Sequence, residues 1–116
     1  VVDDEKPMVD SLTQMLDRLG YKVTARTSSI EALEAFRARP EAFDLILTDQ
    51  TMPNMTGEHL AKEVLKIRPA VPVILCTGFS EAVSEDTAKE MGIRAFIMKP
   101  IIMEKMARVV RQVLDG

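Results

Sequence analysis

Five side chains able to do chemistry stand at the ends of short apolar runs. Asp3 and Asp4 follow Val1 and Val2, Asp49 follows "LILT", Thr77 closes "VPVILC", and Lys99 follows "RAFIM". Carboxylates held close together repel one another and bind protons more tightly unless a cation neutralises them. Oxygen ligands without clustered His or Cys suit a hard divalent ion. Two or three carboxylates that leave room for water suit Mg²⁺ better than a complete Ca²⁺ cage. Lys99 adds a point charge suited to phosphate. A Mg²⁺ ion, a lysine and a hydroxyl around one carboxylate make a phosphoryl-transfer site. Asp49 is then the nucleophile, accepting a phosphoryl group as an aspartyl phosphate.

That chemistry requires the five residues to share one rim, and the hydrophobic periods say how. "VV" reads as the end of a strand, which predicts that the strand begins upstream of the residues given. Pro7 suits a first helical turn, and Met8, Leu12, Met15, Leu16 and Leu19 recur at helical spacing until Gly20. "YKVTAR", 21–26, alternates like a strand. Ser28 or Ser29 then caps a helix with Ile30, Leu33 and Phe36 facing inward, ending before Pro40. "FDLILT", 43–48, is a strand, and Thr56 opens a helix with Leu60, Val64 and Leu65 inward and Pro69 beyond it. "VPVILCT", 71–77, is the most hydrophobic strand. A helix over 81–91 carries only Val83, Ala88 and Met91 inward and is expected to be the most loosely held. "RAFIM", 94–98, is a further strand, and Met103, Met106, Val110, Val113 and Leu114 mark a closing helix.

Strand and helix thus alternate five times with short connections, which predicts an α/β fold with a parallel sheet covered by helices on both faces. The continuous apolar character of 43–48 and 71–77 agrees, because strands buried on both faces lose alternation. In such sheets ligands bind outside the carboxyl ends of the strands, where all five chemical residues fall.

Composition is compatible with this and excludes little else. The 116 residues suit one domain, 1–116, with a single core, and 47% hydrophobic with 28% charged residues is ordinary for a globular chain. No apolar run approaches the ~20 residues of a spanning helix, so no membrane contact by this domain is expected. No targeting segment is recognisable. The lone Cys76 excludes an internal disulfide and suits a reducing, cytoplasmic compartment. A net charge of −3 gives no electrostatic reason to expect direct nucleic-acid binding.

The acidic pair Asp3 and Asp4, "DQTMP" at 49–53, Gly57, "TG" at 77–78 and "KP" at 99–100 together resemble the receiver domain of two-component response regulators, over essentially the whole chain. The resemblance implies a five-stranded parallel sheet of flavodoxin-like 2-1-3-4-5 order. It implies that Asp49 is phosphorylated by a phosphohistidine on a sensor histidine kinase or histidine phosphotransfer domain. Asp4 and Asp49 would bind Mg²⁺ directly, Thr51 through its backbone carbonyl and Asp3 through water. Lys99 would hold the phosphoryl oxygens, with a cis bond to Pro100. Thr77 would swing onto a phosphoryl oxygen and Phe96 turn inward, reshaping the face made by 81–115. "TGFSE" and the closing "KPIIMEKMARVVRQVLDG" resemble receivers attached to hybrid sensor kinases, while "RAF" at 94–96 departs from receivers that pair through acidic residues there, leaving oligomeric state open.

Each residue also has a plainer reading. Asp3, Asp4 and Asp49 could be helix caps or turn formers, Thr77 a strand residue and Lys99 a solvated charge. Those readings would have to coincide at four loops on one rim. His59, without a second His or Cys, reads as exposed, and Cys76 as a small core residue. A haloacid-dehalogenase-like phosphohydrolase would carry a general-acid aspartate two residues after its nucleophile, where Thr51 stands. A flavin or nucleotide module would not place three carboxylates at its phosphate site. A receiver used only as an unphosphorylated scaffold would have no need of all five residues.

Thr51 and Phe79, each two residues past a site residue, are expected to set the lifetime of the phosphate, with bulky Phe79 hindering an attacking water. Phe79→Ala should therefore shorten the half-life of the phosphorylated protein, followed by intact mass after removal of the phosphodonor; an unchanged decay would remove Phe79 from this role.

Overall fold

In a computed structural model of the chain, residues 1–78 and 89–115 are described. Helix α1 spans Lys6–Arg18 with Pro7 in its first turn. It buries Val9, Leu12 and Leu16, while Leu19, expected on the inner face, is 38% exposed. Its end explains Gly20: with φ at +92° this residue lets Gly20 N–H donate to Asp17 O and Tyr21 N–H to Leu16 O, closing the helix in a Schellman motif. Helix α2, Ser29–Ala38, is capped by the Ser28 hydroxyl, which accepts from Glu31 N–H at 3.4 Å. Its inner stripe is Ser29, Leu33 and Phe36, and Ile30, expected inside, is 44% exposed. Phe36 stacks on Phe43 with ring centroids 6.1 Å apart, beyond a short 3₁₀ turn at Pro40–Ala42.

Strand β1, Ile46–Asp49, is followed by helix α3, Gly57–Ile67, with Thr56 as the cap accepting from His59 N–H. Strand β2, Val73–Thr77, pairs in parallel with β1, and strand β3, Ala95–Met98, pairs in parallel with β2. Helix α4, Met103–Asp115, closes the described chain and buries Met106, Val110 and Val113. The expected helix over 81–91 lies outside the described residues up to position 88, so Val83 and Ala88 do too; Met91 packs as a partly buried side chain under α3.

The sheet bears out part of the expectation. Among the described residues its continuous part has three parallel strands in the order β1-β2-β3, and the expected strands at 1–2 and 21–26 appear as single parallel bridges, Val2 with Arg26 and Val2 with Thr48. The ladder there is short. The Val1 amine donates to Thr24 O, Arg26 N–H to Val1 O and Asp3 N–H to Arg26 O, while Tyr21 and Lys22 pair with no strand among the described residues. Residues 21–26 alternate in polarity as a strand should, but alternation becomes a strand only where a neighbouring backbone runs alongside.

Each strand of the pair β1 and β2 is buried throughout and feeds both faces of the sheet. Ile46, Val73 and Leu75 pack with Leu33, Phe36, Leu60 and Val64 under α2 and α3. Leu47, Ile74, Cys76 and Ile97 pack with Leu12, Leu16, Met106 and Val110 under α1 and α4. This two-sided burial explains the uninterrupted apolar runs in the sequence. Ile74 is 0% exposed at the centre of the sheet. Ile74→Ala should cost about 2–5 kcal/mol by loss of transfer energy and the cavity left behind, read as a lowered urea midpoint at unchanged slope; a midpoint equal to that of the wild type would show that β2 is not central to the core.

Candidate functional site

The parallel register ends the strands at nearly one level, and that brings the sequence-predicted residues together. Asp49, the last residue of β1, has Cys76 as its Cα partner, and Thr77, the last of β2, has Met98. Asp49 N–H donates to Val2 O at 2.9 Å and Lys99 N–H to Thr77 O at 2.8 Å, so the residues following Val2 and Met98 are delivered to the same edge. Asp3, Asp4 and Asp49 each present a carboxylate oxygen, all within 4.8 Å of one another. The Lys99 ammonium ion-pairs with Asp49 Oδ1, and the Lys99–Pro100 bond is cis, as the sequence suggested.

Burial makes this cluster electrostatically demanding. Asp3 is 2% exposed and Asp49 4%, whereas Asp4 lies in solvent. Burial pushes the Asp3 carboxyl up to about 6 from an ordinary value of 3.8, with the neighbouring Asp49 and Asp4 charges adding to the effect. The Glu5 N–H that Asp3 Oδ1 accepts at 2.9 Å and the Lys99 charge oppose it. One ammonium group thus leaves the cluster short of positive charge. The donor set fits a hard divalent cation, because three oxygen ligands converge where a carboxylate is already unwilling to ionise. Beside it the Cys76 thiol is pushed up to about 12, chiefly by burial, and stays protonated as a small core residue.

Thr77 is 1% exposed, with its hydroxyl donating to Gly78 O at 3.3 Å. Phe96, whose Cα partner is Leu75, is half-buried against the core under α2 and α3. Thr51 is exposed in the loop after Asp49. Phe79 lies outside the described residues.

The loop from Asp49 to Gly57 is held more firmly than its sequence suggests. Met52 is buried in the core, and Asn54 takes a left-handed φ of 69°. The buried Ser29 hydroxyl at the start of α2 donates to Met55 O at 2.8 Å. Gly57 has a steric reason: a Cβ there would run into the carbonyl oxygen of Asp49 and come within 2.9 Å of Leu75 Cδ1. Gln50 was not picked out by its type or spacing, yet it is 8% exposed and bonded on every polar group. No local pattern marks it, since its partners are seven and eight residues on and in another strand.

The raised Asp3 carboxyl has a consequence for stability. Its folded value lies above its unfolded one, so the stability it contributes is fully present below pH 3.8 and is lost as pH rises through about 6. At neutral pH without divalent cations, Asp3→Asn should therefore be more stable than the wild type by roughly 2 kcal/mol. A divalent cation held by the cluster should narrow that gap, because it stabilises the charged Asp3 of the wild type more than the neutral variant. Urea midpoints of both proteins across this pH range test it; parallel profiles would show that Asp3 is not destabilised by its site.

The Response regulator receiver domain family matches residues 1–111. The transcriptional regulatory protein CreB of Escherichia coli is 29% identical over 114 residues, covering 98% of this chain and 49% of that protein. The two-component response regulator ARR14 of Arabidopsis thaliana is 32% identical over 114 residues, 98% of this chain and 30% of its own length. The chain thus spans half or less of these curated relatives. Among solved structures, a receiver domain protein from Clostridium thermocellum superposes with a TM-score of 0.93 at 25% identity, covering 98% of this chain and 90% of that one. A CheY-like receiver domain protein from Methanospirillum hungatei gives 0.87 at 31% identity, with the same coverage. With a sheet of parallel strands, helices on both of its faces and an acidic cluster at its carboxyl edge, this chain belongs to the response regulator receiver domain family.

Proposed function

We propose that the chain is a phosphoacceptor switch that takes a phosphoryl group from a phosphohistidine partner onto Asp49. The observation that carries this reading is the Lys99–Asp49 ion pair inside a cluster of three carboxylates. A cation paired to the acceptor oxygen is already in place to follow the charge onto the incoming phosphoryl oxygens. In the transfer, an Asp49 carboxylate oxygen forms the P–O bond as the P–N bond of the partner's phosphohistidine breaks, and the electron pair returns to the imidazole. Asp4, Asp49 and the Thr51 carbonyl would hold Mg²⁺ directly and Asp3 through water. Bound there, the ion neutralises the carboxylates and offsets phosphoryl charge.

Phosphorylation turns the Asp49 carboxylate into an acyl phosphate, which shifts the negative charge facing Lys99 onto phosphoryl oxygens that attract donors. The Thr77 hydroxyl, which needs only to leave Gly78 O, then turns onto a phosphoryl oxygen, and Phe96 fills the space vacated, altering the face of 81–115. The domain is accordingly a signalling switch, catalysing only its own phosphorylation and slow dephosphorylation, with Thr51 and Phe79 tuning the latter. We assign it a cytoplasmic location and, on the likeness of its last helix and "TGFSE", a place in a hybrid sensor kinase. Its partner is then a histidine kinase or phosphotransfer domain, with no direct contact to nucleic acid. The full sheet is inferred to follow the 2-1-3-4-5 order, which the placement of Val2 between Arg26 and Thr48 supports. No helix among the described residues is long and apolar enough to cross a membrane.

Incubation with acetyl phosphate should add one phosphoryl group by intact mass in the presence of Mg²⁺, and none in its absence or in Asp49→Asn. A labelled Asp49→Asn would move the acceptor elsewhere, and an unlabelled wild type would leave the domain a scaffold.

A further inference from the structure

The first turn of a helix leaves four N–H groups without intrahelical partners. In α3 those of Gly57, Glu58 and His59 are met. His59 N–H donates to the Thr56 hydroxyl at 3.2 Å, an ordinary N-cap, and Leu60 N–H to Thr56 O at 2.9 Å begins the intrahelical ladder. The other two converge on Gln50. Gly57 N–H donates to its main-chain carbonyl at 3.0 Å and Glu58 N–H to its side-chain Oε1 at 2.8 Å. The amide nitrogen of the same side chain donates to Glu58 Oε2 at 3.5 Å, so the Glu58 N–H fixes which end of the amide is oxygen. Gln50 N–H in turn donates to Cys76 O at 3.0 Å in β2.

One residue therefore ties the end of β1, the neighbouring strand and the start of α3 together, directly after Asp49. The loop it closes begins at Asp49 and contains Thr51. Through Gly57, the helix start it holds also presses on the carbonyl of Asp49, where there is no room even for a methyl group. Movement of α3 away from Gln50 would be transmitted to Asp49 and Thr51 together.

We propose that Gln50 is a positioning residue for the phosphoryl-accepting site, fixing Asp49 and the Thr51 main chain through its paired hydrogen bonds to the first turn of α3. This rests on the reading of Asp49 as phosphoacceptor. Groups that orient the ligands of a metal typically change its affinity by about 10–100-fold when removed. Gln50→Leu keeps an apolar body of similar size and deletes both side-chain bonds, and Gln50→Glu sets two carboxylates against each other. Gln50→Glu combined with Glu58→Gln restores the pair with donor and acceptor exchanged: the new carboxylate can accept both the main-chain N–H and the amide at position 58.

The test measures Mg²⁺ affinity by calorimetry, the initial rate of labelling by acetyl phosphate, and thermal stability. Both single Gln50 variants should weaken Mg²⁺ binding and slow labelling by about ten-fold or more, and the exchanged pair should recover most of each. Arg68→Ala is the control for mere loss of stability. Arg68 anchors the far end of α3, donating to Pro40 O at 3.1 Å and Phe43 O at 2.6 Å, so its loss should lower the Tm and leave both site readouts unchanged. A folded Gln50→Leu with wild-type Mg²⁺ affinity and labelling would overturn the proposal, as would an exchanged pair that regains stability without regaining the site. A wild type that binds Mg²⁺ but accepts no phosphoryl group would overturn the phosphoacceptor reading instead, with the Mg²⁺ affinities still deciding the role of Gln50.

Discussion

Three carboxylates are held within 4.8 Å of one another at a largely buried rim, and two of them are almost inaccessible to water. Coulomb repulsion and lost hydration both oppose that arrangement, so something must hold it in place. The backbone does so. Asp49 is bonded through its N–H to Val2 O, Asp3 through its N–H to Arg26 O, and Lys99 through its N–H to Thr77 O. Behind the rim, two apolar clusters clamp the sheet from either side and leave the strands no freedom to separate. The residual strain is electrostatic. Lys99 compensates one charge, and the unmet remainder shows in the reluctance of Asp3 to ionise.

Rigidity is unevenly distributed around the site. On the Asp49 side β1 and β2 are buried at every residue, and the following loop is fastened by Gln50, Met52, Ser29 and Gly57. On the other side β3 is buried fully only at Ile97, with Ala95, Phe96 and Met98 half-buried. Local opening costs least where few apolar contacts are lost. A fixed Asp49 beside a looser edge is an arrangement in which the charge change proposed at Asp49 would be read out at β3 without disturbing the residues around the carboxylate.

Much of the fold was legible because it depends on neighbours along the chain. Helical spacing in α3 and α4, the Thr56 and Ser28 caps and the stop at Gly20 all follow from local periodicity and local hydrogen bonds. Errors arose where one residue of rotation mattered. In α2 the inward stripe is Ser29, Leu33 and Phe36, which leaves the more hydrophobic Ile30 about 100° away and in solvent. Ser29 is inside because its hydroxyl has a partner in Met55 O, 26 residues along the chain, which hydrophobicity cannot show. Residues 21–26 alternate as a strand should, yet pairing there is limited to the few bonds made by Val1 to Asp3.

For the site the division is similar. Asp3, Asp4, Asp49, Thr77 and Lys99 were identifiable from sequence because in a parallel α/β chain the residue after each apolar run must arrive at the same edge. The chemistry expected of them follows from their types and needs no coordinates. Tertiary structure alone decided the Lys99–Asp49 ion pair, the raised proton affinity of Asp3, the collision that keeps position 57 a glycine and the hold of Gln50 on α3. Each of these is a matter of distance and burial between segments that meet only when the chain closes. A linear pattern records which residues can reach an edge, whereas the electrostatics and steric limits there depend on how closely the folded backbone packs around them.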